Sequence, residues 1–261
     1  MPLHAGVNLV TSSTPHLSSV IDGIVAVHAG CIIHDNTMAT FMPPLDYDKM
    51  VKWWNERVAE VTAGERQIVV YLAEPSSRTS TGGFDSESQH LPAPPFLTGP
   101  DAEKSYPPLS PTSASSWISP ASKSSNTWPT IPATSTSPLL EIAGLVSLSF
   151  PYSQTGPFRG MIEKLLTSPL HRRKGVARQV MAELERVAWK LGKWNLLLDT
   201  TMGTDAEHVY PRLGYVERAQ VREFGFSPRD MTLLDEIWFA KDLRVRERRL
   251  WREEEEGETE G

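Results

Sequence analysis

Residues Lys164–Glu185 read KLLTSPLHRRKGVARQVMAELE. The apolar run Arg159–Thr167 (RGMIEKLLT) predicts a strand, and it feeds a short basic loop that closes on Gly175. Beyond the glycine, Val176, Val180, Leu184, Val187 and Leu191 recur at helical spacing, which predicts a helix over Val176–Leu191. A helix start presents free backbone N–H groups and a partial positive charge. A glycine at the junction lets an anion approach the backbone, and Arg172, Arg173 and Lys174 add charge. The stretch therefore reads as a site for a phosphate-bearing ligand. No G-x-x-x-x-G-K-S/T run is present and no G-x-G-x-x-G follows a strand, so neither a P-loop nor a dinucleotide fingerprint accounts for it.

Working outward toward the C-terminus, NLLLDT (Asn195–Thr200) predicts a buried strand. Asp205–Leu213 predicts a short helix stopped by Gly214, and Tyr215–Phe224 and Leu234–Ala240 predict two closing strands. On the N-terminal side IAGLVSLSF (Ile142–Phe150) and QIVVYLA (Gln67–Ala73) predict strands. A helix is expected over Tyr47–Val61 behind an Asp46 N-cap, another over Leu17–Cys31, and a short strand over Thr37–Met42. Residues 1–16 are expected to be a flexible N-terminus. The order is that of an α/β (α+β) domain with a mixed, mostly antiparallel sheet flanked by helices.

Between the predicted strands the composition changes. Residues 75–138 are dominated by Ser, Pro and Thr, and such a segment buries too little apolar surface to offset its ordering entropy. A disordered insertion in a hairpin loop is expected there, interrupting a single domain over 17–243. A charged tail follows over 244–261. The net charge of −6 argues against a general nucleic-acid binder. One cysteine, Cys31, rules out an internal disulfide framework. No apolar run approaches the ~18 residues of a membrane span and no secretory signal is evident, so a cytoplasmic protein with no membrane partner is expected.

The run Arg172-x-x-Gly175-x-Ala177 matches the Q/R-x-x-G-x-G/A motif of the GNAT N-acetyltransferase superfamily. It lies between a strand carrying Glu163 and a long amphipathic helix. The block LLLDTTMGTDAEHVYPRLGY (Leu196–Tyr215) resembles the subgroup that contains the tabtoxin-resistance acetyltransferase. The resemblance covers about residues 17–74 and 140–243. Gly203 stands where many members carry an asparagine, a difference this subgroup shares.

The resemblance implies a GNAT fold and acetyl-CoA as cosubstrate. It implies transfer of the acetyl group to an amine of a small molecule or peptide. The backbone of Arg173, Lys174, Gly175, Val176 and Ala177, with Arg172, would hold the pyrophosphate, and Leu165, Leu166 and Thr167 would pair with the pantetheine arm. A backbone N–H near Leu165 would polarise the thioester carbonyl. Tyr210 would protonate the departing thiolate, and Glu163 would serve as base, ahead of Asp199 and Glu207. Trp53, Trp54, His34 and Asp35 would line the acceptor pocket; adjacent tryptophans cannot face the same way on a helix, so one of the two is expected in the core. The alternative is a non-catalytic acyl-CoA-binding protein on the same fold.

Overall fold

The computed structural model describes residues 2–35, 40–75, 130–132 and 139–244. The run LLEIAGLVSLS forms strand β4 (Leu139–Ser149), buried from Leu140 to Leu148. A strand apolar on both sides needs cover on both faces. The chain provides it with α1 (Leu17–Asp35) and α2 (Tyr47–Thr62) on one face and α3 (Val176–Lys190) on the other. The alternation along β2 (Arg66–Ala73) shows the division: Ile68, Val70 and Leu72 join the α1–α2 core, and Val69 joins the α3 core.

The remaining strands are β1 (Gly6–Val10), β3 (Ile131–Pro132), β5 (Arg159–Thr167), β6 (Asn195–Thr201), β7 (Val216–Phe226) and β8 (Leu233–Asp242). Their order across the sheet is β1-β2-β4-β5-β6-β8-β7, with β3 paired to β4. Among the described strands only β5 and β6 run parallel. A single-turn 3-10 segment (Asp205–His208) leads into the one-turn helix α4 (Val209–Arg212). The mixed, mostly antiparallel sheet flanked by helices is therefore present. The strands β2 and β4 that bracket the Ser/Pro/Thr-rich segment are antiparallel neighbours, as a hairpin requires.

Asp46 caps α2, its Oδ1 accepting from the Lys49 N–H at 3.0 Å. Four expectations are corrected. Residues 1–16 are not wholly irregular, because Gly6–Val10 adds an edge strand to β2, its few apolar residues being enough for one paired edge. Ile131, inside the expected insertion, is fully buried and pairs with Leu140; residues 76–129 and 133–138 lie outside the described residues, as do 245–261 of the expected tail. No strand forms over Thr40–Met42, the described part of the predicted Thr37–Met42 strand, where the cis bond Pro43-Pro44 follows at once. Finally, α1 is long and apolar enough by length and composition to cross a membrane, with a mean hydropathy of 1.6 over its most apolar window. It instead packs in the core, where Val20 to Ile32 are buried apart from Asp22.

Candidate functional site

The parallel strands β5 and β6 pair only from Arg159–Met161 to Asn195–Leu197, yet both continue, to Thr167 and Thr201. They part because β5 is bulged. Between the pairs Leu145↔Leu166 and Ser147↔Glu163, β4 advances two residues and β5 three. Lys164 takes up the extra residue with φ of 56°. A bulge leaves a backbone group unpaired in the ladder and bends the strand. The parting opens a cavity of about 1060 Å³, floored by Glu163, Lys164, Leu165, Leu166 and Thr167.

One end of this cavity is the basic loop. Ser168 caps a 3-10 turn (Pro169–His171) through the Leu170 N–H, and the buried His171 is hydrogen-bonded to Glu141 on β4, which anchors the turn to the sheet. Arg173 and Gly175 then take left-handed φ of 59° and 76°, and α3 starts without a side-chain cap. Its first N–H groups are left for a ligand, and a Cβ at Gly175 would have no atom within 4 Å. The loop has the open backbone concavity that a phosphate needs. Arg172, Arg173, Gly175, Val176 and Ala177 line the cavity. Lys174 does not; its Nζ lies 3.4 Å from His171 Nδ1. Arg172 is paired with Asp35 at the end of α1, so Asp35 steadies the loop instead of standing free for an acceptor.

Tyr210 reaches the opposite wall from α4. It is 6% exposed and packs on Phe239 and Tyr215 at ring distances of 5.6 and 6.2 Å. Burial, and then the charge of Asp199, push its phenol above the ordinary tyrosine range, so it stays protonated near neutral pH. Glu163 also faces the cavity, but both oxygens are engaged: Oε1 accepts from Ser149 Oγ at 2.8 Å and Oε2 from Arg66 Nη1 at 2.8 Å. Burial raises its proton affinity, and the Arg66 charge and these hydrogen bonds outweigh that, leaving its carboxyl below the usual range.

Two further carboxyls meet beyond Lys164. Thr201 of β6 faces Glu236 of β8, so Asp199, two residues away, shares that face. The charges of Asp199 and Glu236 act on each other across that face, which disfavours ionising both. Burial, then the charge and hydrogen bond of Asp199, push Glu236 up to about 8. Burial raises Asp199 too, and burial lowers Lys164 against the pull of Glu163 and Asp199. The folded pair thus holds a proton that the unfolded chain releases above its ordinary value of 4.5. Its stabilising effect is full below that value and is lost as pH rises through about 8. The melting temperature is expected to fall between slightly acidic and slightly alkaline buffer, and Glu236→Gln is expected to flatten that slope in calorimetric scans.

The other expected residues divide. Trp54 is fully buried and its Nε1 donates to His28 Nδ1 at 3.2 Å, so it is core. Trp53 is half-buried against Phe41 and His28, with Arg57 4.7 Å and the Lys164 ammonium 5.9 Å from its ring. It approaches the site through Lys164 and does not line the cavity. His34 and Asp35 do line it. Glu207 accepts from the Gly203 N–H at 2.7 Å, closing the turn after β6. The Cys31 thiol lines the cavity too, but burial pushes it up to about 12. Sequence reasoning missed Glu236, Lys164 and Arg66. The available signal for Glu236 was a carboxylate in the strand run LLDEIWFA, at an inward position.

Residues 117–215 match the family model described as the Acetyltransferase (GNAT) family. Among solved structures, the chain is similar to yncA from Salmonella typhimurium, solved with its cofactor acetyl-CoA, at 13% identity and TM-score 0.50, covering 91% of this chain and 94% of that one. It is similar to a ribosomal-protein-alanine N-acetyltransferase from Brucella melitensis at 12% identity and TM-score 0.52, with 91% and 99% covered. An N-acetyltransferase from Staphylococcus aureus Mu50 aligns at 12% identity and TM-score 0.52, with 92% and 99% covered. At these identities the structural likeness speaks for the fold.

Proposed function

We propose that the chain is an acetyltransferase of the GNAT family, whose family model matches residues 117–215, and that it transfers the acetyl group of acetyl-CoA to an amine of a small molecule or peptide. The observation that carries the reading is the parted β5–β6 pair, with an uncapped helix start at one end and a buried, protonated tyrosine at the other.

The residues present fit acetyl-CoA. The backbone N–H groups of Arg173 to Ala177, with Arg172, would hold the pyrophosphate. The segment Leu165–Thr167, freed from β6, offers its edge to the pantetheine amides. When bound, the cosubstrate supplies an activated acetyl thioester. The bulge at Lys164–Leu165 would offer a backbone N–H to the thioester oxygen, where negative charge develops. Tyr210 holds the proton for the leaving sulfur. An ammonium cannot attack until it loses a proton, so a base is required. Glu163 faces the cavity, and as a base of low proton affinity it would relay the proton through water.

Calorimetry with acetyl-CoA tests the reading first. Saturable binding, followed by release of free CoA thiol on adding primary amines, supports it. Binding without thiol release from any amine favours a non-catalytic acyl-CoA-binding protein, and no binding rejects both.

A further inference from the structure

Lys164 is the one lysine that lines the cavity among the described residues. Other lysines have a partner: Lys241 is bound by Glu185 at 2.8 Å, Lys193 donates to the Pro157 carbonyl at 2.6 Å, and Lys174 lies against His171. Lys164 has no hydrogen bond or ion pair among the described residues, and its ammonium lies 5.9 Å from the Trp53 ring. The bulge in β5 accounts for this isolation. At φ 56° the residue leaves the regular ladder, so its side chain no longer alternates with those of its neighbours. Glu163, Asp199 and Glu236 pull on its charge without an ion-pair contact, and burial outweighs them and lowers its proton affinity. A lysine that gives up its proton readily is a nucleophile. On the acetyltransferase reading, the same bulge would hold the thioester oxygen, so the activated acetyl group arrives beside this amine.

We propose that Lys164 is an internal acetyl acceptor: with acetyl-CoA bound and no amine substrate present, its Nζ takes the acetyl group. The proposal rests on the acetyltransferase reading and adds to it a modification site within the cleft. The ammonium first loses a proton to solvent. The neutral Nζ then attacks the carbonyl carbon, a C–N bond forms and the C–S bond breaks. The nitrogen gives up a second proton through water on the Glu163 side. The sulfur leaves as a thiol with the proton held by Tyr210, which is restored from solvent. The product is a neutral amide on the cavity floor.

The test incubates the full chain with acetyl-CoA alone and locates the acetyl group by peptide mass mapping. One acetyl group per chain is expected, on Lys164, with a rate constant that does not change with protein concentration, as transfer within one molecule requires. Lys164→Arg keeps the charge but cannot accept, and is expected to lose that acetyl group while acetyl-CoA still binds. Lys164→Asn, which tolerates a left-handed φ, is the second variant should the first fail to fold. A further readout needs no transfer from acetyl-CoA. Trace acetic anhydride is expected to label Lys164 of the free protein faster than the exposed Lys52 near neutral pH, and CoA, which carries no acetyl group, is expected to shield it. The proposal is overturned if acetyl-CoA binds and Lys164 stays unmodified, if acetyl groups collect on exposed lysines instead, or if the rate constant rises in proportion to protein concentration. It is equally overturned if the anhydride labels Lys164 no faster than Lys52, or if CoA fails to shield it. No binding of acetyl-CoA would strike the acetyltransferase reading and this proposal with it, whereas binding without modification strikes the proposal alone.

Discussion

Tyr210→Phe is expected to lower turnover about 100-fold or more, while acetyl-CoA affinity stays within about twofold. The substitution removes one oxygen and keeps the ring that packs on Phe239 and Tyr215, so α4 should keep its place. What is lost, on the proposed reading, is the proton for the leaving sulfur. Because burial and Asp199 hold the phenol above the ordinary range, it is a full donor near neutral pH, and no ionisation of Tyr210 should limit the rate there. Steady-state kinetics with free-thiol detection, beside calorimetric acetyl-CoA binding, separate the two quantities. Unchanged turnover would reduce Tyr210 to a packing residue.

Gly175→Val is expected to weaken acetyl-CoA binding by about 10- to 100-fold, read by calorimetry. The cause is conformational rather than a collision with the protein. A Cβ at this position has no atom within 4 Å, but the residue sits at φ 76°, where a β-branched side chain costs about 1–3 kcal/mol. The loop would relax by turning its N–H groups away from the concavity they share with Arg173. The exposed loop bears little of the core, so the melting transition should move far less than the affinity. Unchanged affinity would remove the anion-loop assignment.

The elements legible in the sequence were those with a local cause. Val176, Val180 and Leu184 on one face predicted α3 to within a residue, and Arg159–Thr167 came out with both ends right. The Asp46 cap and the hairpin relation of β2 and β4 were equally plain. The misses share a different cause. GVNLV is too short and too mixed to read as a strand, and becomes one only because β2 offers a free edge. The run Thr37–Met42 carries strand-forming residues, but Thr40–Met42 finds no partner strand. Propensity proposes a strand, and a neighbour's unpaired edge decides.

The candidate site divides along the same line. By itself the sequence pointed to the loop before α3 as the candidate anion site, because a glycine at a helix start after a basic run acts through its own backbone, whatever packs around it. It also marked Tyr210, through the block that surrounds it. Only the tertiary structure decided which side chains have spare capacity there. It committed Trp54 to the core through His28, Asp35 to Arg172, and both oxygens of Glu163 to Arg66 and Ser149. It also brought Glu236 from β8 beside Asp199 of β6 and left one of its oxygens without a partner among the described residues. Charge balance and hydrogen-bond satisfaction are sums over everything within a few ångströms, and residues that close in space can lie far apart along the chain.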